Sequence, residues 1–382
     1  MNTVLLNRVT EKYNKIFPSA PLRIFSPGRI NIIGEHTDYN DGFVFPAAVD
    51  KGIYAAFDKS NTGVSKVYAL DLDEDIEFST NNIKPLPKES WGNYILGVIA
   101  EIQKKGKKIP DFNMVFSGDI PAGSGMSSSA ALENSVAFGL NELFGLELTK
   151  TEMIFISQKA EHNYVGVNCG IMDQYASMFG VENHALLLDC RSIEAQAFKI
   201  DFEGYELMLI NTNVKHSLSD SAYNDRRAVC ENISKMLNIK ALRDATETDL
   251  LTIKTKLSNE DYQKGLFVIQ ENERVQKASQ AMTNKDLKTL GELIYGSHYG
   301  LQHQYKVSCH ELDFLVDKTK DNPNILGARM MGGGFGGCTI NLIAKTEVET
   351  FKKYIAEAYK NQFDKACSIY SVALSNGTGT VK

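Results

Sequence analysis

Apolar residues recur at helical spacing over the first seventeen positions, with Leu5, Val9, Tyr13 and Ile16 on one face, and this predicts an amphipathic helix. No basic flank precedes a continuous apolar run, so the pattern is not that of a signal peptide. Further on, short runs rich in β-branched and aromatic residues predict strands at 22–25, 53–57, 112–116 and 185–188. Longer periodic stretches predict helices over 94–105, 130–143 and 150–164. The last of these opens on a capping box, because Thr149 and Glu152 can satisfy each other's free backbone amides. After a strand-like 207–211, the region 219–320 reads as mostly helical and charged, with a second capping box at Ser308 and Glu311. A strand at 339–344, a helix at 347–359 and a strand at 368–374 close the pattern. No internal repeat or long linker interrupts it, so the order of elements alone predicts an α+β protein of two domains, 1–200 and 201–382.

Composition narrows the partners. A net charge of −6 comes without any Lys/Arg block, so the electrostatic footprint for nucleic acid or an anionic membrane is missing and a small molecule is expected instead. No stretch approaches the roughly 18 consecutive apolar residues of a membrane span, and a cytoplasmic protein is expected. Cys169, Cys190, Cys230, Cys309, Cys338 and Cys367 are scattered without a C-x-x-C pair, which suggests free, mostly buried thiols rather than a disulfide framework or a zinc site.

Three glycine-punctuated segments carry the candidate chemistry. In the middle one, Gly123 and Gly125 permit a tight turn, and Ser127, Ser128 and Ser129 stand where a helix begins. Free amides and the positive end of a helix dipole, surrounded by hydroxyls, suit nucleotide phosphates; a serine-capped helix after a glycine turn is the plainer alternative. The Gly-Lys-Ser of a P-loop is absent. A later segment satisfies G-x-G-x-x-G through Gly332, Gly334 and Gly337 but leads into the strand pattern 339–344, unlike a dinucleotide-binding turn, so it reads as a glycine loop packing close to a ligand or another backbone. In the first segment Glu35, His36 and Asp38 crowd beside Arg29 and Asn31. Asp38 to Gly42 faintly resembles a calcium loop, yet its glycine comes one position too early and no glutamate closes it. Clustered acceptors and one imidazole suit the hydroxyls of a sugar. A fourth segment places Asp173 just inside a turn that opens a short helix, where a helix-start role competes with that of a base.

These segments resemble a known family. The run Gly28-Arg-Ile-Asn-Ile-Ile-Gly-Glu-His-Thr-Asp-Tyr-Asn is similar to the galactokinase signature. Residues 121–132 resemble the phosphate loop of the wider GHMP kinases (galactokinase, homoserine, mevalonate and phosphomevalonate kinases), and 327–337 their third motif. Cys169-Gly-Ile-Met-Asp-Gln is similar to the galactokinase catalytic segment, and the likeness runs from about residue 21 to 375. The resemblance implies a ribosomal-S5-like N-terminal domain, a ferredoxin-like C-terminal domain and an active site in the cleft between them. It implies transfer of a phosphoryl group from ATP to the anomeric hydroxyl of galactose. Asp173 then becomes the base or orienting carboxylate and Arg29 its transition-state partner, while Glu35, His36, Thr37, Asp38, Gly170 and Tyr223 become sugar contacts. Gly123, Ser124, Gly125, Met126, Ser127, Ser128 and Ser129 would cradle the ATP phosphates, Trp91 and Tyr94 would line the adenine pocket, and Ser129 with Glu161 would hold Mg2+. A kinase for N-acetylgalactosamine or another sugar, and a non-enzymatic sugar and ATP sensor, are the competing readings. The unsubstituted Glu35-His-Thr-Asp-Tyr-Asn run argues against the first, and the intact serine run with Asp173 and Arg29 against the second.

Overall fold

The amphipathic pattern at the start of the chain becomes the helix Thr3–Ile16, capped by the Asn2 side chain on the Leu5 amide at 3.1 Å. Its buried face, Leu5, Leu6, Val9 and Tyr13, lies on Phe25, Tyr54, Ala56 and Val115 of a sheet. Each side chain fully buried in this way contributes about 1.5–3 kcal/mol gross, which holds a helix of a length that is marginal alone. The computed structural model describes the whole chain except residues 18, 89, 215–218 and 382.

Among the described residues that sheet runs, edge to edge, Gly379–Thr380, Leu22–Asn31, Pro46–Lys59, Phe112–Gly118, Ser65–Ala69 and Glu74–Phe78. Neighbours are antiparallel except for the parallel pair Ser65–Ala69 and Phe112–Gly118. The helices Gly92–Lys104, Ser128–Phe144, Lys150–Ala160 and Met172–Phe179 bury Ile99, Val136, Ile154 and Met178 in the core on its other face. A small sheet of Phe43–Val44, His184–Asp189 and Glu194–Lys199 stands beside it.

A second large sheet has the order Ile325–Met330, Cys338–Ala344, Tyr205–Asn211 and Ser368–Ser371, all antiparallel. Along the chain this is strand, helices, strand, strand, helix, strand, the ferredoxin-like arrangement. Alternation sorts its residues: Leu207 and Leu209 join the core shared with Ile30, Ile32 and Phe45, whereas Met208 and Ile210 pack under the helix Val348–Phe363. The helices Ser219–Leu237, Asn259–Thr283 and Leu287–His303 enclose a further core around Ile233, Phe267 and Leu301. Among the described residues no helix is long and apolar enough to cross a membrane. All six thiols are free; Cys190, Cys230 and Cys338 are buried and the other three half-buried.

Three local expectations need correction. The helix predicted to 164 is α-helical only to Ala160 and continues as the π turn Glu161–Val165, although its capping box at Thr149 forms. The box at Ser308 does not: Cys309 precedes the helix His310–Asp317, and the Ser308 hydroxyl donates to Asp313 Oδ1 at 2.5 Å instead. The predicted strand 368–374 ends at Ser371, after which Leu374 bridges to Val49 and Thr380 pairs with Ile24 on the first sheet.

The helix Leu287–His303 and the strand Ile325–Met330 approach through two glycines. A Cβ on Gly291 would collide with the Leu326 carbonyl, and one on Gly327 with the Gly291 backbone. Alanine is the better helix former by about 1 kcal/mol, yet backbone cannot give way as a side chain can. Gly291→Ala is therefore expected to destabilise the protein by about 1–3 kcal/mol. Thermal unfolding checks this, and an unchanged or raised melting temperature would show that the helix can shift.

Candidate active site

Loops from both large sheets line a cleft of about 530 Å3, and a smaller cavity of about 120 Å3 shares part of its wall. The segment 123–129 lines the cleft, facing Gly333, Gly334 and Phe335 from the loop before the strand Cys338–Ala344. Gly123 and Gly125 take φ of +66° and +71°, the left-handed region open to glycine. They turn the chain into the helix Ser128–Phe144. Ser127 precedes that helix at φ 59° with no side-chain cap bond, and its hydroxyl donates to Asp173 Oδ2 at 2.5 Å. The serine-capped alternative therefore does not form, and first-turn amides remain for an anion. Tyr94 lines the cleft and Trp91 does not. The Trp91 indole N–H donates to Glu74 Oε2 at 2.9 Å, and its ring packs on Phe116, so it serves the sheet edge.

Arg29, Val167, Asp173, Tyr223 and Gly333 belong to both walls. Arg29 follows an irregularity in the pairing of Leu22–Asn31 with Pro46–Lys59, where the register shifts between Pro27 and Arg29. Its side chain is buried and forks onto Asp173, Nε to Oδ1 at 2.7 Å and Nη2 to Oδ2 at 2.8 Å, while Nη1 donates to the Gly125 carbonyl. Asp173 is the second residue of the helix Met172–Phe179. One bidentate pair thus joins the first sheet, the phosphate-type loop and that helix.

Glu35, His36, Asp38, Glu161, Gly170 and Tyr223 line the smaller cavity. Burial, with Asp173 nearby, pushes the Asp38 carboxyl up to about 7; its oxygens accept from the Tyr39 and Met172 amides at 3.0 and 3.4 Å. Gly170 is required beside it, because a Cβ there would collide with the Asp38 carboxylate. His36 sits at φ 64°, and burial lowers its imidazole to about 3, so the ring is neutral. Thr37 departs from expectation: its one hydroxyl proton is shared between the Gly34 and Phe43 carbonyls at 2.9 and 2.7 Å, tying the loop rather than facing the cavity.

Ser129 lies on the cleft wall and Glu161 on the cavity wall. Beneath Glu161, the fully buried Glu133 has one carboxyl oxygen with no partner, and Gln174 Nε2 stands 3.4 Å from both glutamates. Burial and the neighbouring Glu161 raise the Glu133 carboxyl well above the usual range.

Sequence reasoning gave no role to Arg329. With no exposure, it donates from Nε to the Ile32 carbonyl at 2.8 Å and from Nη1 and Nη2 to Glu35 Oε1, each at 3.1 Å. Gly332 N–H adds a third bond to the same oxygen at 2.8 Å. A signal was present: one arginine among apolar and glycine residues in a buried strand must find a counter-charge.

Three family models match the chain: the galactokinase galactose-binding signature at residues 11–59, the GHMP kinases N terminal domain at 93–181 and the GHMP kinases C terminal domain at 278–361. The chain is 41% identical to a galactokinase of Thermotoga neapolitana over 356 residues, covering 93% of this chain and 99% of that one. It is 38% identical over 382 residues to a galactokinase of Clostridium acetobutylicum, covering 98% of each. The structure of Lactococcus lactis galactokinase complexed with galactose superposes with a TM-score of 0.94 at 33% identity, over 98% of this chain and all of that one. Methanococcus jannaschii mevalonate kinase, at 18% identity and a TM-score of 0.63 over 94% of this chain and 99% of its own, shares the fold. Signature, domain models, relatives and fold agree, and the chain belongs to the galactokinases of the GHMP kinase family.

Proposed function

We propose that the protein transfers the γ-phosphoryl group of ATP to the anomeric 1-hydroxyl of galactose, giving galactose 1-phosphate and ADP. One observation carries this reading: the Arg29–Asp173 pair belongs to the walls of both the cleft and the smaller cavity, so ligands in the two would meet there. The galactose complex of the Lactococcus lactis relative supports the choice of sugar. Residues 1–200 supply the sugar signature and the phosphate loop, and 201–382 the third motif.

Galactose occupies the smaller cavity against Glu35, His36, Asp38 and Tyr223, with Gly170 leaving room for Asp38. The ATP phosphates lie along 123–129, with Tyr94 near the base. Phosphoryl transfer depends chiefly on positioning and on charge stabilisation. Asp173 aims the 1-hydroxyl at the γ-phosphorus and takes its proton as the new P–O bond forms and the bond to the β,γ-bridging oxygen breaks, leaving its electron pair on ADP, while Arg29 stabilises charge on the phosphoryl oxygens. Ser129 on the cleft wall and Glu161 on the cavity wall are the residues that would hold Mg2+: the neighbouring buried Glu133, whose carboxyl burial and Glu161 push well above the usual range, marks a place where negative charge lacks compensation. Among the described residues no group of three His, Cys, Asp or Glu side chains converges for a metal, so nucleotide oxygens and water would complete the shell. The cation supplies neutralisation of phosphate charge.

An ADP-release assay over a panel of sugars, with the product position read by NMR, tests the function. Galactose 1-phosphate is expected, and phosphate on the 6-hydroxyl would overturn the site assignment. Asp173→Asn keeps the shape and loses the proton acceptor. It should abolish turnover while calorimetry still detects galactose, and near-normal kcat would remove Asp173 from the chemistry.

Asp38 predicts a pH effect on the free protein. A carboxyl at about 7 when folded and near 3.9 when unfolded holds its proton more tightly in the fold. Its contribution is present below about pH 4 and is lost as pH rises to about 7. Asp38→Asn removes that loss, so the variant should be more stable than wild type at pH 8 by on the order of 1–3 kcal/mol. At pH 5 the gain should be much smaller. Urea unfolding at both values checks this; equal differences at the two would show that Asp38 is ionised throughout.

A further inference from the structure

His36 Nε2 is buried and makes no well-formed hydrogen bond, the Gly333 backbone acting on the ring only as a weak acceptor, and the ring helps to form the wall of the smaller cavity. Behind the ring a chain of contacts leads away from that cavity. His36 Nδ1 lies 2.8 Å from the Tyr39 hydroxyl, which lies 2.7 Å from the Tyr305 hydroxyl, itself 3.4 Å from Cys230 Sγ. Tyr39 stands on the 3-10 turn Asp38–Asn40, Cys230 on the helix Ser219–Leu237, and Tyr305 just past the helix Leu287–His303. The His36 ring packs against those of Tyr223 and Tyr305, with centroids 5.2 and 4.9 Å away.

Each phenol has one proton to give, and a neutral imidazole nitrogen is the best acceptor in the chain. If Tyr39 donates to Nδ1, its oxygen accepts from Tyr305, whose own oxygen accepts from the Cys230 thiol. Every member is then satisfied, and the ring proton resides on Nε2. In the reverse order Nδ1–H donates to Tyr39, Tyr39 to Tyr305, and Tyr305 must end on sulfur, a weak acceptor. The nitrogen in the cavity wall would then be a bare acceptor in a wall that also holds the Glu35 carboxylate, itself an acceptor.

We propose that Tyr39 and Tyr305 are positioning residues that fix His36 in its Nε2–H tautomer, so that it donates a hydrogen bond to one oxygen of the sugar. This rests on the cavity taking galactose. The tautomer follows because the bond made by one ring nitrogen decides which nitrogen carries the proton. With the Glu35 carboxylate accepting and His36 donating, the hydroxyl that meets His36 is read as an acceptor and one that meets Glu35 as a donor.

Long-range 1H–15N spectra of the ligand-free protein, labelled with 15N-histidine and with His36 assigned by its loss in His36→Asn, read the tautomer directly. Wild type is expected to show a pyrrole-type Nε2 and a pyridine-type Nδ1. Tyr39→Phe should mix or reverse them, and Tyr305→Phe, which leaves Tyr39 able to donate, should do so less. In kinetics Tyr39→Phe should raise the galactose KM by about tenfold, with kcat and the ATP KM held within about twofold. A set of monodeoxy galactoses then supplies a cycle. The sugar lacking the hydroxyl that meets His36 should lose its penalty in Tyr39→Phe, while the other penalties stay. An Nδ1–H tautomer in wild type, or deoxy penalties all unchanged in a Tyr39→Phe protein of normal melting temperature, would overturn the proposal. Because the spectra need no ligand, an Nε2–H histidine in a protein that ignores galactose would sink the substrate reading instead.

Discussion

A guanidinium has no neutral form to retreat to, so an arginine taken wholly out of water obliges the fold to provide for every one of its N–H groups. Arg329 meets that demand across the molecule. From the strand Ile325–Met330 of the second sheet it reaches the Asn31 and Ile32 carbonyls at the end of a first-sheet strand, the Glu35 carboxylate beyond them, and its neighbouring Met330 carbonyl. Removing either charge would strand the other in the interior, at a cost of about 3–5 kcal/mol. The two sheets are thus fastened beside the smaller cavity, whose wall includes Glu35 and Gly332. Because three donors converge on Glu35 Oε1, the same fastening orients a carboxylate in the cavity wall.

The site is built from pairs of this kind, each spanning elements distant in sequence. Arg29 and Asp173 tie a strand to a helix start, Asp38 accepts the Met172 amide, and Gly170 clears the space between. Buried polar groups of this density hold one geometry when satisfied and are costly when not. The polar atoms left without a well-formed hydrogen bond include His36 Nε2 and an oxygen of Glu133, one at the cavity wall and the other behind Glu161, where a ligand and a cation are proposed to enter.

Local chemistry made much of this legible in the sequence. The period of Leu5, Val9 and Tyr13, the box at Thr149 and Glu152, and the glycines before a serine run each depend on neighbours within one turn, and the elements form where they predict. What was missed depends on tertiary partners. Ser127 reads as a cap but gives its hydroxyl to Asp173, forty-six positions away, and Ser308 gives its own to Asp313. Thr37 sits among cavity residues yet turns inward to carbonyls, and Trp91 is drawn to Glu74 at a sheet edge. The exposed strand Glu194–Lys199 carries little apolar signal, and pairing with His184–Asp189 makes it a strand. No spacing rule reveals that Arg329 or Tyr305 lies behind the signature residues, since both arrive from the other half of the chain.

The short strand Gly379–Thr380 pairs with Ile24 and Phe25 at the edge of the first sheet. During synthesis that edge emerges early, and its partner is made only after the entire second sheet. Until then Ile24 and Phe25 present open backbone groups at that edge, the kind of edge that invites pairing with another chain. Closing the loop late adds little entropy cost, because that cost grows only with the logarithm of length. The pairing does, however, make this part of the first sheet's edge depend on a segment that follows the second sheet in the chain, which couples the formation of the two sheets.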